Sequence, residues 1–217
     1  MLSGVGREGN FRSLKDKAVH IQLLSDYEMH MFVEAAIRGG ISMISHRYAE
    51  FNNRKMGEVY DPTRPSVYGR YLDANNLYGG AMSEALPVGG YRWMNAEELN
   101  TPILSMNDCF VEVDVTYPKE LHDLHSDYPF LPERLSPSHQ MLSTYQQDLL
   151  NTMPDGKQIR QSLGKQPKLI PTLRDRTKYV VHIEELKCAV RHGVQVTQVH
   201  RGLAFNSEKV PKPYIDF

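Results

Sequence analysis

The run Tyr71-Leu72-Asp73-Ala74-Asn75-Asn76-Leu77-Tyr78-Gly79 sets an acid, a short polar stretch and an aromatic ring close together in the chain. A carboxylate at the end of a strand is held rigidly and can ligate Mg²⁺, a hard cation that takes oxygen ligands. If the backbone turns directly after Asp73, the carbonyl of Ala74 also faces the ion. The amides of Asn75, Asn76 and Leu77 then point outward, where they can hydrogen-bond polyphosphate oxygens. Tyr78 follows the acid at the right distance to pack against the sugar of a bound nucleotide. The chemistry that suits this set is phosphoryl transfer. The plainer alternative is a strand-end Asp that caps a turn and a core Tyr with a satisfied hydroxyl.

Other residues carry weaker signals. Arg38-Gly39-Gly40 can approach a phosphate backbone closely because glycines present bare amides, and the same residues suit the end of a helix. Lys165, Lys168, Arg174, Arg176 and Lys178 can bind DNA phosphates with salt-dependent strength or simply solubilise a loop. Tyr179, beside Lys178, can stack on a base or pack within a strand. His122 and His125 have a spacing found in metal sites, with Asp123 and Asp127 nearby, but no Cys or third His lies within reach in sequence. Cys109 and Cys188 make no CxxC and no disulfide framework, which favours a reducing, intracellular compartment. There is no Gly-x-Ser-x-Gly and no phosphate-loop pattern.

The elements that must position these residues follow from periodicity. Ser25-Asp26-Tyr27-Glu28 predicts a capping box with Ser25 at the N-cap, and Leu24 and Met29 are placed for a hydrophobic staple. Met31, Phe32, Ala35 and Ala36 continue at helical spacing, and Gly39-Gly40 is expected to end the helix. Asp61-Pro62-Thr63-Arg64-Pro65 predicts a turn. Val67 to Leu72 reads as the strand that would carry Asp73 at its tip. Phe110 to Tyr117 alternates Val111, Val113, Val115 and Tyr117 with Glu112, Asp114 and Thr116, a half-buried strand. The stretch from Tyr128 to Gly164 is expected to hold loops and a short hairpin. Leu173 to Ile183 predicts a strand, Glu184 to His192 a helix closed by Gly193, and Val194 to Phe205 another strand. The fold class this predicts is α+β with a mostly antiparallel sheet.

Composition sets the outer bounds. The chain has 217 residues, 41% hydrophobic and 24% charged, which excludes wholesale disorder and a collagen-like chain. No apolar run approaches the roughly 18 residues of a membrane span, and residues 1–12 lack the apolar core of a signal peptide. The net charge of -1 hides a swing along the sequence. Residues 96–150 hold 2 Lys/Arg against 10 Asp/Glu, whereas residues 151–217 hold 12 against 6. Two differently addressed surfaces are expected, the basic one suited to phosphates.

The run Asp73-Ala74-Asn75-Asn76-Leu77-Tyr78-Gly79 resembles motif A of family B DNA polymerases, Asp-x-x-Ser-Leu-Tyr-Pro, with Asn76 in place of Ser and Gly79 in place of Pro. Ile37-Arg38-Gly39-Gly40-Ile41 is similar to the Tyr-x-Gly-Gly motif of the protein-primed branch, with Ile37 in place of Tyr. Leu86-Pro87-Val88-Gly89-Gly90, His200-Arg201-Gly202-Leu203-Ala204-Phe205 and Pro213-Tyr214-Ile215-Asp216-Phe217 extend the likeness over most of the chain. The branch occurs in bacteriophages, linear plasmids and Polinton/Maverick elements. The resemblance implies part of a polymerase palm with an antiparallel sheet and an inserted α/β subdomain. It would divide the chain into 1–60, a linker with the Arg-Gly-Gly element; 61–95, palm with motif A; 96–192, an insertion resembling the terminal-protein region; and 193–217, a return to the palm. It implies template-directed transfer of deoxynucleotides by two Mg²⁺ ions, with Asp73 as the catalytic carboxylate and, with Ala74, as metal ligand. It also implies nucleotide contacts from Asn75, Asn76, Leu77 and Tyr78, and template contacts from Arg38, Gly39 and Gly40. The expected partners are DNA template and primer, deoxynucleoside triphosphates and a terminal priming protein, with no membrane, in a nucleus or a viral replication site. The sequence contains neither the Asp-x-Asp of motif C nor the Asn-Ser-x-Tyr-Gly of motif B, so the isolated chain is expected to be inactive. The other expectation is a DNA- or protein-binding module derived from such an enzyme, without catalysis.

Overall fold

The computed structural model describes residues 21–39, 41–46 and 48–209. In chain order the elements are α1 (Tyr27–Ala36), α2 (Leu77–Met82), β1 (Ala85–Trp93), α3 (Ala96–Leu99), β2 (Cys109–Thr116), β3 (Glu133–Leu135), α4 (Thr144–Thr152), α5 (Gly156–Ser162), β4 (Lys168–Ile170), β5 (Arg176–His182), α6 (Ile183–Arg191) and β6 (Gln195–Lys209). The fold is α+β with an antiparallel sheet. It divides into two compact units. One holds residues up to 30, 46–94 and 203 onward; the other holds 31–45 and 95–202. Among the described residues no helix is long and apolar enough to cross a membrane.

In the first unit β1 pairs antiparallel with the end of β6, from Ala85 opposite Lys209 to Trp93 opposite Leu203. The register slips between Pro87 and Gly89 and again between Gly89 and Arg92. Proline lacks the ladder donor and Gly90 sits at φ 66, so the strand is built around bulges. Gln22 reinforces the bulge: its N–H donates to Val88 O at 2.7 Å, and its Oε1 accepts from Gly90 N at 2.8 Å. A buried amide organises the loop before α2. Asn52 Nδ2 lies within hydrogen-bond distance of the carbonyls of Asp61, Arg64 and Pro65, while Asn52 Oδ1 accepts from Asp61 N at 3.0 Å. Asp61 Oδ1 accepts from Thr63 N at 2.9 Å, which closes the predicted turn.

The expected strand from Val67 to Leu72 is absent. A single bridge joins Asn52 and Val67, and Tyr68, Tyr71 and Leu72 are exposed. Their β propensity expresses a fit to a pleated, half-buried surface, and no strand is paired with them to supply it. Asp73 therefore stands in irregular backbone rather than at a strand tip.

The core of the second unit is β2 paired antiparallel with β5, Phe110 opposite His182 and Val113 opposite Tyr179. Cys109, Val111, Val113, Val115 and Tyr117 are buried and the residues between them are half-exposed, matching the predicted alternation. Helix α6 lays Ile183, Leu186 and Ala189 against this sheet, all fully buried. Burial of each large aliphatic side chain stabilises by roughly 1.5–3 kcal/mol. His182 caps α6, its Nδ1 accepting from Glu184 N at 3.2 Å, and Gly193 at φ 97 ends it. The stretch after Tyr128 holds the short antiparallel pair β3–β4 and, unexpectedly, two helices. Ser143 and Gln146 form a capping box for α4.

Helix α1 starts one residue later than predicted. Asp26 Oδ1, not Ser25, accepts from Met29 N at 2.8 Å, and a carboxylate is the stronger acceptor next to a helix N-terminus. The helix also closes earlier than the glycine pair. Ile37 N donates to Glu34 O at 3.1 Å, a tightened last turn.

Candidate functional site

Two places in the structure hold the residues singled out above, one in each unit. In the first unit, the chain turns through Asn75 and Asn76 directly after Ala74. Asn76 takes left-handed angles, φ 50 and ψ 46, and caps α2 by accepting from Gly79 N at 3.2 Å. Asn is one of the few residues that adopts this conformation at low cost. A Cβ at residue 79 would lie 2.3 Å from the Asn76 amide, so glycine there belongs with asparagine at 76. Asp73, Ala74, Asn75, Asn76, Leu77 and Tyr78 are all exposed, Tyr78 at 85%.

Mg²⁺ is the ion the sequence resemblance implies. Asp73 is the only carboxylate of its run, and among the described residues no group of three or more His, Cys, Asp or Glu is placed to hold a metal ion. The described residues therefore do not assemble a Mg²⁺ site around Asp73.

The second unit gathers residues far apart in sequence. Arg38 lies with its guanidinium carbon 3.9 Å above the ring of Tyr179, and its Nη1 donates to Ala36 O at 3.1 Å. Burial holds this guanidinium below its usual range, opposed by Tyr179 and Glu185 and assisted by Arg134. Arg38 forms a wall of two clefts. The larger, about 520 Å³, is mostly apolar and is also lined by Gly39, Phe130, Pro132, Glu185 and Cys188. Burial there raises the Glu185 carboxyl, with Arg38 pulling the other way. The smaller, about 260 Å³, is lined by Arg38, Glu133, Arg134, Thr177, Lys178 and Tyr179, with Ala35 and Val180. Gly40 lies outside the described residues.

Of the five basic residues expected to meet DNA, Lys165, Lys168, Arg174 and Lys178 are exposed, and only Lys178 lines the cleft. Arg176 is different: it is 3% exposed. Its Nε donates to Leu131 O at 3.1 Å and its Nη2 to Thr172 O at 2.8 Å. Its Nη1 donates to the carbonyls of Arg174 and Asp175 and lies 3.6 Å from Glu133 Oε1. This guanidinium clasps three loops of its own unit and is not a surface phosphate contact. Arg134, which the sequence did not single out, takes a place in the cleft instead.

Tyr179 does not offer its ring to a base. One face is covered by Arg38, and its hydroxyl donates to Pro132 O at 2.7 Å. Nor are the two histidines arranged for a metal. Tyr117 Oη accepts from Phe130 N at 3.4 Å and lies 2.7 Å from His125 Nδ1, which leaves its own proton for that nitrogen. His125 is thus fixed as the neutral tautomer protonated at Nε2. Burial, and to a lesser degree His192, hold it below the ordinary histidine range. His122 Nε2 faces Tyr117 O at 3.3 Å. Burial pushes the Cys109 thiol up to about 11, so it behaves as a core hydrophobe.

Comparison with known proteins found no matching family model, no matching curated protein and no matching solved structure.

Proposed function

We propose that this chain is the motif A portion of a protein-primed family B DNA polymerase, together with the insertion that follows it. The observation that carries the reading is the run Asp73 to Gly79, turned by left-handed Asn76 into a helix that begins at Leu77. Asp73 and Tyr78 are both open to solvent, within reach of a ligand. In this reading Tyr78 meets the sugar of an incoming deoxynucleotide, and Asn75, Asn76 and Leu77 meet its phosphates. Asp73 is the carboxylate of a catalytic centre whose other acid lies outside this chain. DNA template and primer, and a priming protein, are the partners. The site of action is a nucleus or a viral replication compartment.

A second reading, a binding module without catalysis, is favoured by one observation. Asp73 stands outside any strand and without a metal-binding group among the described residues. The genomic reading frame after the codon for Phe217 separates the two. The polymerase reading expects an Asn-Ser-x-Tyr-Gly element with its Lys, followed by an Asp-x-Asp. A frame that lacks both rejects the enzyme and leaves the module.

A further inference from the structure

We propose that the smaller cleft of the second unit is a docking site for the backbone phosphates of single-stranded DNA, held by Arg134 and Lys178 against the fixed guanidinium of Arg38. The inference deepens the DNA-binding part of the reading above and does not depend on Asp73. The three cations come from separate elements: Arg38 follows α1, Arg134 is in β3 and Lys178 is in β5. Their convergence is a property of the fold that no stretch of sequence displays.

The charge in the cleft is not cancelled from within. Glu133 also lines it, but its carboxylate accepts from Thr172 Oγ1 at 2.7 Å and faces Arg176 at 3.6 Å. Asp114 lies on the Lys178 side, where its Oδ1 accepts the Lys178 backbone N–H at 2.7 Å and sits 2.9 Å from His200 Nε2. Glu185 acts on Arg38 from the larger cavity. Arg134 and Lys178 are left exposed at the rim, with the Thr177 hydroxyl between them in sequence range as a further donor. Arg38 is held by Tyr179 and Ala36, so placing an anion beside it costs little side-chain entropy.

The chemistry selects phosphate over base. The cleft offers guanidinium, ammonium and hydroxyl groups, all donors to phosphate oxygen. Its one aromatic face is covered by Arg38, so the stacking platform typical of base recognition is missing. Binding should therefore be independent of sequence. A single strand can bend a phosphate into a recess, whereas a duplex with a persistence length of about 50 nm resists this.

The test uses the 217-residue chain and a fluorescein-labelled mixed-sequence 20-mer, with anisotropy read from 50 to 200 mM NaCl. Arg134→Gln and Lys178→Gln should each weaken binding about two- to five-fold, the size of one exposed charge interaction. Each should lower the slope of log K against log salt by about 0.7, one single-strand phosphate contact. Lys157→Gln, an exposed cation outside the cleft, should change neither quantity. Inorganic pyrophosphate should displace the strand from the wild type, and a 20-bp duplex should bind more weakly. The proposal is overturned if the wild type does not bind at 50 mM salt, or if the two cleft variants behave like Lys157→Gln. Equal loss for duplex and single strand overturns the single-strand assignment. Circular dichroism checks that both variants are folded. The reading frame after Phe217 is untouched by any of these results, so the polymerase reading stands or falls separately.

Discussion

Arg176→Met separates a structural arginine from a phosphate-binding one. The substitution keeps the apolar volume of the stem and removes every donor. The carbonyls of Leu131 and Thr172 lose their Nε and Nη2 partners, at 3.1 and 2.8 Å, in surroundings where the arginine itself is 3% exposed. An unsatisfied buried acceptor costs about 1–3 kcal/mol. Arg174 and Asp175 are exposed, so their carbonyls can turn to water at little cost. Glu133 loses a buried cation but keeps the Thr172 hydroxyl. Together these place the loss at about 3–5 kcal/mol, the range for breaking a buried charge from one side. At about 2–4 °C per kcal/mol for a protein of this size, the melting temperature should fall by roughly 6–20 °C. Urea unfolding followed by far-UV circular dichroism measures the loss. Anisotropy below the new transition should show DNA affinity within two-fold of the wild type. A variant as stable as the wild type that loses affinity and salt slope would refute the reasoning and return Arg176 to the surface contacts.

Acid should weaken the second unit. His125 and His182 are both held below the ordinary histidine value by burial, so between the folded and unfolded values the unfolded chain binds more protons. Stability is complete above about pH 6.5 and declines as pH falls below it, so melting at pH 5.5 should come earlier than at pH 7.5; an unchanged transition would show that neither ring is buried neutral. Iodoacetamide on the native protein should modify Cys188, which is exposed, and spare Cys109, which is buried with its thiol pushed up to about 11. Peptide mass spectrometry reads the result, and rapid native labelling of Cys109 would contradict the β2 packing.

Sequence legibility tracked how local each signal was. The Val111-Val113-Val115 alternation and the Ile183-Leu186-Ala189 face of α6 could be read because burial follows the element's own period. Val67 to Leu72 has strand composition but no neighbouring strand beyond the Asn52 bridge, and pairing is not written in the segment itself. β1 was hidden by Pro87, Gly89 and Gly90, which read as breakers and serve as bulges. α4 is rich in polar residues and was expected as loop, although Ser143 and Gln146 carried a readable capping box. In the candidate sites, charge could be read and burial could not. Arg176 and Lys178 are two residues apart in one strand, yet one is enclosed and the other is at the rim of a cleft. Arg134 was concealed by its neighbours, since residues 96–150 are acidic as a block.

The central claim is that Asp73 belongs to a nucleotide-transferring centre completed by residues beyond this chain. The direct measurement is Mg²⁺-dependent primer extension by the polypeptide of the whole reading frame, wild type against Asp73→Asn, with binding to the labelled 20-mer recorded alongside. The account predicts incorporation by the wild type, a loss of at least a hundredfold in the variant, and unchanged strand affinity. Equal incorporation by the two proteins would contradict it.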